Sequence, residues 1–130
     1  MSSSLLFTKI RSVIGIHDNK DSHQEDLFLK TGAGYEKLNI KDLLFAKASE
    51  KHVELHFVSF TRIMRVSLAK FIQEDLRIEL LRVHKSFAVN PGFINGFTTD
   101  EVIVGATKIP IGRIYKNEVM NHLKRSGYKP

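Results

Sequence analysis

The stretch HVELH places His52, Glu54 and His56 at alternate positions. In an extended strand those three side chains leave the backbone on one face. Two imidazoles and a carboxylate so arranged could hold Zn²⁺ or Fe²⁺. The spacing is not the HExxH pattern, which needs a helix to bring its histidines together. The same alternation also describes a plain solvated strand face. His52 directly follows the turn-forming Ser49-Glu50-Lys51, so a third reading gives it to the loop, where a histidine and a lysine could enter a nucleic-acid groove.

A second candidate is LLRVHKSFAVNPGFI, residues 80–94, whose odd positions run Leu81, Val83, Lys85, Phe87, Val89. Lys85 interrupts an apolar strand face, and an unpaired buried lysine would be costly. A bulge or turn at that point would keep the apolar residues inside and push the ammonium into water. Arg82, His84 and Ser86 take the other parity, giving a cluster of donors suited to anions.

The third is IPIGRIYKNEVMNHLKR, in which Arg113 falls where a Pro-Ile-Gly stretch meets a helix pattern. A guanidinium there can form a bidentate pair with guanine O6 and N7. The macrodipole mildly disfavours a cation at a helix start, so the position hints at contact chemistry. TGAGYEK carries two glycines but lies between strand candidates, whereas a phosphate loop must open a helix; it reads as a hairpin turn. No G-x-S-x-G occurs, and a catalytic reading would rest on His52, Glu54, His56 and His84 alone.

The chain that must position these groups has 130 residues, enough for one domain with its own core. At 42% hydrophobic and 26% charged, its composition is that of a globular protein. Twenty Lys and Arg against 14 Asp and Glu give a net charge of +6, which favours a polyanion such as nucleic acid or an anionic membrane surface. The lack of cysteine excludes disulfides and thiolate metal sites. No apolar run reaches the ~20 residues of a spanning helix, and the N-terminus lacks signal-peptide organisation, so a cytoplasmic location is the default expectation.

Leu6, Ile10, Val13 and Ile14 predict a short helix over 4–14, and the polar HDNKDSHQED predicts a linker over 17–26. Residues 1–26 are thus expected to be an appendage and 27–130 the main domain. LFLK, YEKLNI, LLFAKA, HVELHFV and RIMRVS read as strands at a spacing of roughly ten residues, which points to antiparallel hairpins. Leu68, Phe71, Ile72, Leu76 and Leu80 predict a helix with Ser67 as its N-cap. FAVN, FINGFT and EVIVG are further strands, and a final helix runs from about Arg113 to Arg125 with Tyr115, Val119 and Leu123 as its apolar stripe. The expected fold class is mainly β, with one inserted helix and one at the C-terminus.

Arg82-Val83-His84-Lys85-Ser86 followed by Val89-Asn90, the Ser67 helix before them, and Pro110, Arg113 and Tyr115 after them resemble the LytTR family of bacterial DNA-binding domains. The resemblance covers about residues 27 to 124. It implies elongated antiparallel β-sheets in a sandwich-like arrangement that bind DNA through loops. By position it implies His52 and Arg113 in successive major grooves and Lys85 at the minor groove between them. Lys51, Arg82, His84, Ser86, Lys116, Asn117, Lys124 and Arg125 are then the expected backbone contacts. The expected partner is double-stranded DNA carrying promoter direct repeats, and two settings stay open, an output domain joined to an N-terminal receiver domain or a stand-alone regulator, with room for a second copy on DNA in either; no cofactor, metal or membrane partner is expected.

The sequence departs from the family pattern at three positions. Gly112 stands where many members have serine, which removes a hydroxyl. Leu80 replaces a common aromatic. Lys85 replaces the commoner arginine and offers a point charge without the guanidinium fork. Two rivals remain: a metal-dependent β-fold enzyme built on His52, Glu54 and His56, and a module whose basic face binds an acidic protein or a membrane.

Overall fold

The structure, a computed structural model, describes residues 26–73 and 79–127. The predicted helix over 4–14 and the linker lie outside these residues, except that Asp26 already stands in the first strand. That strand, β1 (Asp26–Thr31), pairs antiparallel with β2 (Gly34–Asn39), with Gly32-Ala33 as the turn between them. TGAGYEK is therefore a hairpin turn.

Five more strands form the central sheet: β3 (Leu43–Ser49), β4 (His52–Phe57), β5 (Thr61–Met64), β6 (Leu81–His84) and β7 (Phe87–Val89). Their spatial order is β5-β4-β3-β7-β6, antiparallel throughout. Between β5 and β6 lies helix α1 (Leu68–Gln73), where the Ser67 hydroxyl accepts the Lys70 N–H at 3.1 Å, as an N-cap does. Leu76 lies outside the described residues, and Glu79 and Leu80 are not helical.

A three-stranded sheet follows, built from β8 (Ile94–Phe97), β9 (Glu101–Val104) and β10 (Thr107–Pro110) in the order β10-β9-β8. Gly105, at φ +63°, makes the β9–β10 turn in a conformation that side-chain-bearing residues rarely adopt. A 3-10 turn over Arg113–Tyr115 then leads into helix α2 (Lys116–Arg125). Mainly antiparallel β with an inserted and a C-terminal helix is thus the architecture. The α-helix begins three residues later than its apolar spacing suggested.

The central sheet separates two cores. On one face Ala46, Val53, Leu55 and Met64 pack with Leu27, Leu38 and Phe71 from the β1–β2 hairpin and α1. On the other, Phe45, Leu81 and Val89 pack with Val102, Val104 and Ile109 of the second sheet and with Val119 and Leu123 of α2. Adjacent β3 residues Phe45 and Ala46 serve opposite cores because side chains alternate along a strand. Asn90 is only 8% exposed and ties the layers locally: its Nδ2 donates to the Leu43 carbonyl at 2.9 Å and its Oδ1 accepts the Gly92 N–H at 3.0 Å.

Candidate nucleic-acid interface

The β3–β4 hairpin closes on the two residues Glu50-Lys51, with Ser49 opposite His52. Glu50 sits at φ +38°, a backbone conformation uncommon for a residue with a side chain and concentrated at functional turns. Lys51 is exposed and His52 half-buried at the head of β4.

The β6–β7 hairpin closes on Lys85-Ser86, and Lys85 is exposed at its tip. The sequence offered a bulge or a turn here, and the chain has both. The bulge comes first: Arg82 pairs with Ala88 but His84 with Phe87, leaving Val83 as the extra residue. Across that shift Leu81 and Val83 both stay buried and Arg82 and His84 both half-buried, as simple alternation expects. Arg82 curls back, its Nε donating to the His84 carbonyl at 3.0 Å and its Nη2 to the Lys85 carbonyl at 2.6 Å. The Ser86 N–H donates to His84 Nδ1 at 3.0 Å, so a neutral His84 carries its proton on Nε2. Several of the donors read as an anion cluster therefore shape the turn that presents Lys85.

Arg113 is exposed at the start of the 3-10 turn. Its base is fixed by the Gly112 N–H, which donates to the Val83 carbonyl at 2.7 Å, and by the Tyr115 N–H, which donates to Gly112 at 2.9 Å. The Arg82 guanidinium lies 5.9 Å from the Tyr115 ring centre, so one arginine adjoins both the Lys85 turn and the Arg113 turn. A Cβ on Gly112 would come within 3.1 Å of the Tyr115 ring, which explains how tightly the chain closes there.

These pieces share one end of the central sheet. The Ala48 N–H donates to the Ser86 carbonyl at 2.8 Å, which sets the β3–β4 and β6–β7 turns side by side. The strand order, extended by the Gly112–Val83 bond beyond β6, then runs His52, Lys85, Arg113 along that edge. Lys116 and Asn117 adjoin Arg113, although Lys116 Nζ pairs with Asp100 Oδ1 at 2.9 Å. Lys124 and Arg125 lie at the other end of α2, about 13 Å from Lys116 at 1.5 Å per residue, where cations also suit the helix dipole.

Two basic residues that motif reading did not single out flank His52. Lys30 and Arg65 line a cleft of about 400 Å³ together with His52, Tyr35 and Ile63. They are distant in sequence from His52: Arg65 follows β5, the sheet neighbour of β4, and Lys30 reaches the cleft because the β1–β2 hairpin packs on the central sheet.

The metal stripe takes another form. His56 Nε2 lies 3.1 Å from Glu54 Oε1, and its ring stacks on Phe45 at 4.4 Å between centres. Among the described residues no three His, Cys, Asp or Glu side chains are grouped to hold a metal ion.

A family model described as the LytTr DNA-binding domain matches residues 33–124. The chain belongs to the LytTR family of DNA-binding domains. That span holds every candidate contact above except Arg125 and Lys30. The LytTR chain is 24% identical over 115 residues to the sensory transduction protein LytT of Bacillus subtilis (strain 168), an alignment covering 84% of this chain and 48% of that protein. It therefore spans about half the length of this relative. Its fold matches the LytTr DNA-binding domain of a methyl-accepting/DNA response regulator from Bacillus cereus with a TM-score of 0.64 at 20% identity, covering 80% of this chain and 98% of the other. The LytTR family is one of DNA-binding domains, and neither rival reading of the sequence gains support from it. Among the described residues no helix is long and apolar enough to cross a membrane.

Proposed function

We propose that this LytTR domain binds double-stranded DNA sequence-specifically as the output domain of a bacterial response regulator acting in the cytoplasm. The observation that carries this reading is the order His52, Lys85, Arg113 along one sheet edge. A duplex seen from one side offers major, minor and major groove in that same order. From β4 through β3 and β7 to β6 and on to Gly112 are four strand spacings, about 19 Å at ~4.8 Å each. Side chains reaching outward at both ends widen that span toward the ~34 Å repeat of successive major grooves, with the ~6 Å minor groove beneath Lys85.

In this reading Arg113 pairs with guanine, His52 reads a base edge in the other major groove and Lys85 enters the minor groove. Lys51, Arg82, His84, Ser86, Lys116, Asn117, Lys124 and Arg125 contact the phosphate backbone and set the register, with Lys30 and Arg65 added beside His52. A receiver domain would supply the signal, and two copies would occupy direct repeats in a promoter.

Selection from a randomised duplex library of about 30 base pairs tests the reading, since that length holds two helical turns and more. Enriched short motifs one turn apart are expected. Arg113→Ala should then weaken the selected site by about 1–3 kcal/mol and random DNA much less. Binding without an enriched motif would reduce the edge to a general polyanion surface. If about six phosphates are neutralised, log K should fall against log[salt] with a slope near −5.

A further inference from the structure

Ile114 is 83% exposed, the most exposed large apolar side chain among the described residues. Of the other four, Phe60 stacks on Phe57 and lies under the Arg62 guanidinium, Tyr35 and Ile63 line the cleft beside His52, and Val58 is exposed just beyond the end of β4. A single exposed aliphatic residue needs no explanation by itself. Its place in the 3-10 turn of Arg113–Tyr115 gives this one a meaning.

A 3-10 turn has three residues per revolution, so successive side chains diverge by about 120°. Tyr115 is turned inward, half-buried against the second core and beside Arg82. Arg113 and Ile114 are therefore both directed outward from a turn whose backbone is pinned to β6. Consecutive Cα atoms are about 3.8 Å apart, close to the ~3.4 Å step between base pairs. Two such neighbours can meet two stacked bases. A β-branched side chain with few rotamers loses little freedom in doing so.

We infer that Ile114 is a specificity-determining residue that packs on the C5-methyl of a thymine beside the guanine paired with Arg113. The thymine methyl is the one apolar mark in the major groove, and an aliphatic side chain is its complement. This inference rests on the DNA-reading role of the Arg113 turn. It adds apolar readout of a neighbouring base to the polar readout by the guanidinium.

The test uses the tightest duplex from the library selection, with each thymine of the Arg113 half replaced in turn by deoxyuridine, which lacks only the methyl. Each duplex, together with one in which the guanine pair assigned to Arg113 is exchanged for an adenine–thymine pair, is titrated with the wild-type chain, Ile114→Ala and Arg113→Ala. One replacement beside the guanine should weaken wild-type binding roughly fourfold, the value of one buried methyl, and leave Ile114→Ala binding unchanged. The inference is overturned if every replacement affects wild type and Ile114→Ala alike while Arg113→Ala still loses its guanine preference. If Arg113→Ala keeps that preference, the underlying reading fails as well. The DNA-side substitution leaves the protein intact, so the result does not depend on how any variant folds.

Discussion

Arg82 Nη2 meets the Lys85 carbonyl at 2.6 Å, so the arginine of the signature holds the turn that carries the lysine. Its Nε bond to the His84 carbonyl and its approach to Tyr115 extend that hold from the Lys85 turn to the Arg113 turn. Arg82→Ala should cost about 1–2 kcal/mol in urea unfolding, as two modest hydrogen bonds are lost. It should also blunt base preference under both turns at once. Arg82→Lys cannot reproduce the fork and should behave like the alanine variant in DNA selection. Unchanged preference in both variants would leave Arg82 as a simple phosphate contact.

Asn90 belongs to the same signature but faces inward. Asn90→Ala removes the donor to the buried Leu43 carbonyl and the acceptor for the Gly92 N–H. A loss of about 1–3 kcal/mol in urea unfolding is expected. The enriched DNA motif should stay the same, in contrast with Arg113→Ala. A changed motif with unchanged stability would move Asn90 into the interface.

Glu36 and Arg62 join the β1–β2 hairpin to β5 through two bonds of 2.8 Å, Nε to Oε1 and Nη2 to Oε2. The hydrogen bonds from Arg62 hold the Glu36 carboxyl below its ordinary value of 4.5. A lowered folded-state pKa stabilises the fold at pH above that ordinary value, and the contribution disappears as pH falls through the lowered one. The unfolding midpoint of wild type should therefore exceed that of Glu36→Gln near neutral pH, with the two converging in acid. A gap that persists at low pH would show that the glutamine variant suffers from something other than lost charge.

Gly112 has φ −69°, which any residue can adopt, and only the Tyr115 ring crowds a new Cβ, at 3.1 Å. Gly112→Ser would also supply the side-chain cap that the 3-10 turn lacks. Stability should stay within about 1 kcal/mol of wild type, and DNA affinity should rise through the added hydroxyl. A large destabilisation would mean that Tyr115 cannot yield.

Most strands were legible in the sequence because their apolar residues alternate, as in Val53, Leu55 and Phe57 of β4. β10 was not, because Ile109 is its one buried residue and Pro110 closes it, leaving no period to detect. The 3-10 turns at Ile40–Asp42 and Pro91–Phe93 share a device that no hydrophobic pattern marks: Asn39 and Asn90 each accept the N–H two residues on, at 3.0 Å. Of the candidate site, Lys85 was readable as an interruption of an apolar strand face, Lys51-His52 from their turn and Arg113 from its place at a helix start. Lys30 and Arg65 were not, since their nearness to His52 exists only once β5 has paired with β4 and the β1–β2 hairpin has packed on the central sheet. Nor does alternation reveal the bulge at Val83 or the bonds that Arg82 makes back to the His84 and Lys85 carbonyls.

The two cores lie on either side of the central sheet, and the exposed Lys51, Lys85, Arg113 and Ile114 take no part in either. Exchanging those residues alters what the edge touches while sparing the buried residues that keep the fold. On the proposed reading of that edge, such a scaffold would drift from one operator to another in single steps, each leaving a folded intermediate. New recognition would then evolve without a compensating repair elsewhere in the chain.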